Sequence, residues 1–240
     1  MRGLTKTLGA SLCGLLAGLA QAQTISGTDI RNDYYSASYS TTFSVMAYSP
    51  WDTTPELGLR TQDGFTGVGV QGMTNGEIDW RNGASESITL TFTAPTAIGS
   101  FTLGLLFNGP EYIDVREVAQ ITINGTEIYS LSAGATENVA VWSHGGTSTN
   151  VNYIAGAGTQ VGQGGAISLS NPFGNMAVST MTFAAARGVS GGSCGSSGCT
   201  NQSDYNVVSV TAVPEPQTYA LMLAGLGAMA FVARRRRPVA

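Results

Sequence analysis

The sequence predicts an all-β fold, an antiparallel β-sandwich of jelly-roll kind, flanked by an N-terminal signal peptide and a single C-terminal transmembrane helix. Three observations lead to this prediction. Short runs of alternating apolar and polar residues recur through 23–213, and glycine, asparagine and proline separate them. No stretch of that region sustains the 3.6-residue period of a helix. About ten short strands broken in this way are typical of antiparallel sandwiches.

The first element in the chain is a predicted secretory signal peptide over residues 1–22. Basic residues at its start are followed by an apolar stretch over 8–20, and small residues stand at Ala20 and Ala22. This order is the form of a signal peptide, which signal peptidase removes. Cleavage after Ala22 would make Gln23 the first residue of the exported protein.

Residues 23–213 form the predicted extracytoplasmic domain. Its length suits one domain with a sizeable core. It contains five arginines, no lysine and fourteen acidic residues, so its formal charge is about −9. Nucleic acid is excluded as a partner because its phosphates would be repelled. An acidic, lysine-free composition is typical of a soluble extracellular domain.

The clearest strand lies at 87–93, where Ile88, Leu90 and Phe92 alternate with threonines. This period of two predicts one apolar face in the core and a threonine ladder in water. Further strands are predicted over 42–48, 101–107, 139–142, 166–169, 176–183 and 205–213.

A β-hairpin is predicted around Asn124-Gly125, which separates the apolar-rich runs 118–123 and 126–131. Both central residues of a type I′ turn need positive φ, and asparagine followed by glycine satisfies this most readily. The pair therefore predicts a tight turn between two antiparallel strands.

Two cysteines remain after removal of the signal peptide, Cys194 and Cys199, in a glycine- and serine-rich loop. In an oxidising compartment they are expected to form a disulfide bond. A metal site is the alternative, but two thiolates and the one histidine of the chain, His144, provide fewer than the usual four ligands.

The candidate ligand-binding residues are aromatic and acidic. Trp142 and Trp80 are the tryptophans proposed to stack on sugar rings, although packing within the sandwich is the alternative for both. Glu111 and Asp114 belong to the densest acidic stretch and are weak candidates for a structural calcium site, the alternative being a solvated loop. No other cofactor or metal is expected.

A catalytic site is not expected. Ser193 lies in a G-x-S-x-G match, with His144 and Asp204 as conceivable partners, but the match falls in a glycine-serine tract rather than between a strand and a helix. Paired carboxylates from the acidic stretch around Glu117 could serve a glycosidase, yet the sequence does not give their separation.

The last 27 residues, 214–240, combine three parts in order. Pro214, Glu215 and Pro216 form a rigid turn, and an uncharged apolar run over 218–233 follows as the predicted transmembrane helix. Four consecutive arginines end it, and basic flanks are retained on the cytoplasmic side. These arginines, the predicted topology anchor, are Arg234, Arg235, Arg236 and Arg237.

This tail resembles the PEP-CTERM sorting signal of exopolysaccharide-producing Gram-negative bacteria. The resemblance implies handling by a membrane enzyme called exosortase, with Pro214, Glu215 and Pro216 as the sorting motif. It implies a short stay in the inner membrane and then delivery to the periplasm, cell surface or extracellular matrix. It covers only the tail and does not identify what the delivered domain does.

Three functions are therefore compared. The leading hypothesis is a non-enzymatic exported surface or matrix protein associated with exopolysaccharide in a biofilm. The second is a carbohydrate-binding module, and the third is an extracellular hydrolase.

Overall fold

The computed structural model describes most of the predicted domain and one segment of the tail. The described residues are 22–27, 36–38, 43–62, 64–72, 74–107, 116–134, 138–155, 165–189, 202–213 and 223–230. The chain divides into two units, one of residues 22–215 and one formed by 1–21 with 216–240. Within the described residues the first unit is antiparallel β-structure and the second contains one short helix.

The described β-structure comprises sixteen strands. They are β1 (Gln23–Ser26), β2 (Ser36–Ser38), β3 (Phe43–Tyr48), β4 (Leu57–Gln62), β5 (Phe65–Gln71), β6 (Asn75–Glu77), β7 (Trp80–Arg81), β8 (Ala84–Ser85), β9 (Ser87–Gly104), β10 (Arg116–Ile123), β11 (Glu127–Ala133), β12 (Val139–His144), β13 (Thr147–Ala155), β14 (Ala166–Ser170), β15 (Val178–Val189) and β16 (Asn206–Val213). The predicted strands are thus confirmed, most of them within a few residues at each end.

The two-residue alternation at the start of β9 is confirmed. Ile88, Leu90 and Phe92 are buried, while the threonines between them are partly or fully exposed. Thr89 lies opposite Thr182 of β15, and their hydroxyl oxygens are 3.0 Å apart. The hydrophobic effect therefore fixes which face of this strand lies inward.

Asn124-Gly125 forms the predicted turn between β10 and β11. Both residues have positive φ, 53° and 72°, and Ile123 lies opposite Glu127. The Asn124 side chain also reaches the next strand in the sheet: its Oδ1 accepts hydrogen bonds from the backbone N–H groups of Ser179 and Thr180 at 2.8 and 3.3 Å.

Seven strands close into a ring through continuous antiparallel pairing. The pairs run from β9 to β14, β13, β12, β11, β10 and β15, and β15 returns to β9. The prediction of an antiparallel all-β domain is confirmed. The architecture differs from the predicted sandwich in detail, because hydrogen bonding is continuous around a barrel-like ring rather than divided between two separate sheets.

The ring closes because β9 is eighteen residues long and changes its neighbours halfway. Its first half, around Leu90, lies between β3 and β15, and its second half, around Leu103, lies between β14 and β16. Pro95 lies between the halves and is exposed. Proline has no backbone N–H to give to a sheet, so a change of partner at this point leaves no donor unpaired. The sequence analysis treated the two halves as separate strands.

A side sheet of β16, β5 and β4 extends from the second half of β9, and β1 pairs with β16. The sequence analysis missed β4 and β5 because glycines occupy strand positions where apolar or polar side chains would otherwise show the two-residue alternation. Gly69 illustrates the reason, since a Cβ atom there would overlap the backbone of Gly76 and Glu77 in β6. The buried residues of this side sheet and of the ring form one hydrophobic core.

Residues 223–230 form a helix of eight exposed residues within the predicted span 218–233. Across the described residues, we find no helix with the length and apolar character needed to cross a membrane. The remainder of the predicted span lies outside the described residues, and so does the predicted signal peptide apart from Ala22.

Candidate functional site

The C-terminal end of β16 is held between two strands. Ala212 lies opposite Gln23 of β1 on one side and Ile98 of β9 on the other. The hydroxyl of Thr96 donates a hydrogen bond of 2.9 Å to the carbonyl oxygen of Val213, the last residue of β16. The chain therefore leaves the domain toward residue 214 from a fixed position beside the start of β1.

Most of the residues singled out from the tail and loops lie outside the described part of the chain. This applies to the sorting tripeptide, the cysteine pair, the acidic stretch and Ser193. It also applies to the arginine cluster. The residues concerned are Pro214, Glu215, Pro216, Cys194, Cys199, Glu111, Asp114, Ser193, Arg234, Arg235, Arg236 and Arg237.

Trp142 is half-buried within a stack of aromatic rings. Its ring lies 5.2 Å from that of Tyr129 in a stacked arrangement and 5.7 Å from that of Phe101 in a tilted one. Phe173 adds a third ring at 6.1 Å. These contacts occupy much of the indole surface that the sequence analysis had offered to a sugar.

Trp80 is also half-buried and packs against the core. Its backbone N–H donates a hydrogen bond of 2.8 Å to the carbonyl of Ser203, so it joins β7 to the segment before β16. Both proposed tryptophans thus have packing partners inside the domain.

The most exposed tryptophan is Trp51, at 40%. It borders an open depression with a volume of about 230 Å³, a little below the range of about 300 to 1,000 Å³ typical of ligand pockets. The other lining residues are Ser49, Asp52, Gln71 and Gly72. The sequence analysis did not single out Trp51. The order Ser49-Pro50-Trp51-Asp52, a proline turn that displays an aromatic residue, is the signal that could have distinguished it.

The turn that carries Trp51 is fixed by short-range hydrogen bonds. Ser49 and Asp52 form a β-bridge, and the backbone N–H of Trp51 donates to the Ser49 hydroxyl at 3.3 Å. Asp52 Oδ1 accepts from the Thr54 N–H at 3.0 Å. Pro50 restricts φ at the second turn position. The backbone that carries the indole is consequently fixed at the rim of the depression.

A fully buried carboxyl group, that of Glu86, lies behind the depression. Its Oε1 accepts a hydrogen bond of 3.0 Å from the Ser49 hydroxyl, and its Oε2 accepts one of 3.2 Å from the Asp79 N–H. Gly72 allows this approach, since a Cβ atom there would overlap Glu86 Oε1. Burying a carboxyl group is costly without such partners.

Asp79 lies next to Glu86 and is itself buried. Burial raises the pKa of Asp79 above its ordinary value, because desolvation disfavours the charged form. A hydrogen bond from the Thr74 N–H, a side-chain hydrogen bond with Glu86 and the charges of Arg60 and Arg81 lower the pKa in part. Desolvation is the larger effect.

Within the described ranges, three carboxylates come close enough together to meet one cation: Glu77, Asp79 and Asp204, with oxygens within 4.8 Å of one another. Arg60 makes an ion pair of 2.7 Å with Glu77, so the cluster already has a cationic neighbour. The sequence analysis had considered calcium at the acidic stretch 111–117 and did not identify this cluster, which joins residues far apart in the chain.

His144 and Asp204 have separate surroundings. The Nε2 atom of His144 lies 3.0 Å from Oε2 of Glu127, and its ring stacks on Tyr129 at 3.9 Å. Asp204 belongs to the carboxylate cluster with Glu77. The hydrolase hypothesis would need both beside Ser193, whose position lies outside the described residues.

Comparison with known proteins gives one match. Residues 212–237 match the family described as the PEP-CTERM protein-sorting motif, so the chain carries this motif at its C-terminal end. The motif implies processing by an exosortase-type membrane enzyme. No curated protein and no solved structure matches the chain. The match begins within β16, two residues before the sorting tripeptide.

Proposed function

We propose that this chain is a non-enzymatic surface or extracellular-matrix protein of a Gram-negative bacterium, associated with exopolysaccharide. In this proposal the domain is exported and held briefly at the inner membrane by its C-terminal segment. It is then released into or onto the cell surface layer. The match of residues 212–237 to a sorting motif supports the route, which an exosortase-type enzyme would complete.

The observation that carries the proposal is the pairing of Gln23 with Ala212. If the signal peptide ends at Ala22, the two hydrophobic segments join the domain at neighbouring positions of one sheet. Until signal peptidase acts, the domain is attached to the membrane through both segments, so both attachment points need to face the membrane. Neighbouring exits meet this requirement without distortion of the fold.

The proposed topology places Arg234, Arg235, Arg236 and Arg237 in the cytoplasm and residues 218–233 across the inner membrane. Sixteen residues in a helix span about 24 Å, less than a hydrocarbon layer of about 30 Å. Arginine side chains that extend to the interface, and local thinning of the bilayer, would cover this difference.

A structural rather than catalytic domain is consistent with the described acidic residues. Glu77, Asp79 and Glu86 are buried and hydrogen-bonded or paired within the protein. Such groups stabilise the fold around them and offer little contact to a substrate. We therefore propose that the domain is no enzyme and requires no cofactor for its role, with a structural calcium ion as an addition still to be tested.

The test is the mass of the protein recovered from cells and medium, in a host with an exosortase and in the same host without it. We expect the exported form to start at Gln23 and to lack residues 234–237 when the enzyme is present. Replacement of Pro214, Glu215 and Pro216 by alanine should leave the tail attached and the protein in the membrane fraction.

Glu56→Gln is the matched control, because it neutralises an exposed acid outside the motif and should be processed as the wild type is. A secreted protein that still carries its arginines would contradict the proposed route. So would a triple-alanine variant that is released as efficiently as the wild type.

A second candidate function, a carbohydrate-binding module, is favoured by the depression beside Trp51. An exposed indole next to hydroxyl, amide and carboxylate groups is the combination that such a module needs. Trp142 and Trp80, the tryptophans chosen from the sequence, remain candidates but have packing partners within the domain.

A further inference from the structure

We propose that the depression lined by Ser49, Trp51, Asp52, Gln71 and Gly72 binds a neutral saccharide through stacking on Trp51. This inference rests on the carbohydrate-binding alternative given above and names its site and ligand class. It does not depend on how the chain is sorted.

Trp51 supplies the apolar part of the site. Trp51 is 40% exposed, although an indole gains from contact with another apolar surface. The proline turn and the hydrogen bonds of Ser49 and Asp52 hold its backbone before any ligand arrives. Because this backbone is already ordered, a ligand that stacks there has only the indole side chain to order. The C–H face of a pyranose ring is a flat apolar surface that suits such a platform.

The polar part of the site consists of Asp52 and Gln71, since Ser49 is only 4% exposed and its hydroxyl already donates to Glu86. The Asp52 carboxylate has more acceptor positions than the one used by Thr54, and the Gln71 amide can both donate and accept. These groups border the same depression as the indole. A ligand with one apolar face and hydroxyl groups around its edge would satisfy both parts, and a sugar ring has this chemistry.

The rear of the depression is held in place by a buried hydrogen bond. The Ser49 hydroxyl donates to Glu86, which is completely buried, and Gly72 leaves room for that carboxyl group. The position of the Ser49 oxygen is thereby fixed from behind. A preorganised set of polar groups around one exposed aromatic ring is characteristic of a small-molecule site.

The charges of the site select against acidic polymers. Asp52 lies in the lining, and none of the lining residues is basic. The domain as a whole has a formal charge of about −9. Uronate or sulfate groups would be repelled, so the ligand is expected to be a neutral glycan.

Affinity electrophoresis of the exported protein tests the proposal. The gels would contain dextran, a soluble β-glucan or galactomannan as neutral probes, and alginate as the acidic one. We expect at least one neutral probe to retard the wild type and alginate to have no effect. Trp51→Ala should weaken that binding at least about tenfold, and Trp51→Tyr should retain part of it.

Ile128→Ala is the matched control, because Ile128 is 56% exposed on β11 and does not line the depression. It should bind as the wild type does. Asp52→Asn should weaken binding of the neutral glycan. Alginate should still not bind it as a neutral glycan does, because the domain as a whole stays acidic. Far-UV circular dichroism of each variant checks that the fold is intact.

Three results would overturn the inference. The first is the absence of retardation by every neutral glycan. The second is retardation that Trp51→Ala leaves unchanged. The third is binding of choline, a quaternary ammonium ligand, in place of any glycan, since the indole and Asp52 would then form a cation site. Each of these failures would leave the mass-based test of sorting unaffected, so the two proposals fail separately.

Discussion

Tyr205 is a polar side chain that the fold buries completely. It is the largest fully buried side chain among the described residues, and its hydroxyl donates a hydrogen bond of 2.9 Å to the carbonyl of Ala184 in β15. Burial raises the pKa of Tyr205 well above its ordinary value, because the phenolate would be desolvated. The group therefore stays neutral when folded under conditions in which it ionises in the unfolded chain.

This raised pKa predicts a loss of stability in alkali. The contribution is fully present below the ordinary tyrosine pKa of about 10 and is lost as pH rises through the folded pKa. Above pH 10 the free energy of unfolding should fall by up to about 1.4 kcal/mol per pH unit for this residue. Tyr205→Phe should remove that slope and cost about 1 kcal/mol at pH 7 through the lost hydrogen bond.

Urea unfolding between pH 7 and pH 11.5 measures both effects. Tyr48→Phe is the matched control, because Tyr48 is 55% exposed, and it should leave the stability at pH 7 unchanged. An unchanged slope in Tyr205→Phe would mean that this hydroxyl is not buried as described.

Among the elements, the hairpin of β10 and β11 is stabilised from two directions. The turn needs positive φ at Asn124 and Gly125, and the Asn124 side chain bonds the start of β15. Its Nδ2 donates a further hydrogen bond of 2.9 Å to the carbonyl of Ala177. Asn124 thus stabilises both the turn and the position of β15 beside β10.

These two roles can be separated by substitution. Asn124→Gly keeps a residue that tolerates positive φ but removes the side-chain hydrogen bonds, so it should cost about 1 to 2 kcal/mol. Asn124→Ala adds backbone strain of about 1 kcal/mol. Chemical denaturation measures the difference.

Gly125→Ala is the control for strain alone, because φ there is +72° and a Cβ atom would meet no neighbour within 4 Å. It should cost about 1 kcal/mol without altering β15. Wild-type stability in Asn124→Gly would show that the contacts with β15 contribute nothing.

At the scale of the whole molecule, closure of the ring is the feature with the widest consequences. Ile167 of β14 lies opposite Leu103 of β9, and both side chains are fully buried. The Thr102 hydroxyl also donates to the Ser168 hydroxyl at 3.1 Å across this seam. A closed ring has no open strand edge here, which protects backbone amides and lowers the risk of edge-to-edge association.

Hydrogen exchange should detect this closure. Backbone amides of β14 that face β9 are expected to exchange as slowly as those in the middle of the ring, since their release requires broad unfolding. Amides on the outer edge of β4, which pairs with β5 alone among the described strands, should exchange at least about tenfold faster. Equal rates at both places would favour an open sandwich over a ring.

A second consequence of closure concerns packing. Leu103→Ala and Ile167→Ala should each cost about 2 to 5 kcal/mol, because they leave cavities at the seam. Their effects should not be additive, since the two side chains share one contact region. Double-mutant analysis by chemical denaturation measures the coupling, and simple additivity would mean that the seam is not packed as described.

Much of the fold was predictable because its signals are local. Ile88, Leu90 and Phe92 show their common face by spacing alone, and the turn at Asn124-Gly125 follows from the backbone preferences of two residues. The strands β4 and β5 were missed for an equally local reason: glycines such as Gly69 carry no side chain to alternate, and the close approach that requires them involves another segment.

The sequence by itself determined the antiparallel strands, the hairpin and the sorting motif, because each depends on residues that are contiguous in the chain. Only the tertiary structure decided the closure of the ring, the placement of Gln23 beside Ala212 and the depression beside Trp51. It likewise placed Trp142 within an aromatic stack rather than fully in solvent. These features join residues far apart in the chain, and the free energy that selects them comes from packing and desolvation, which no local pattern records.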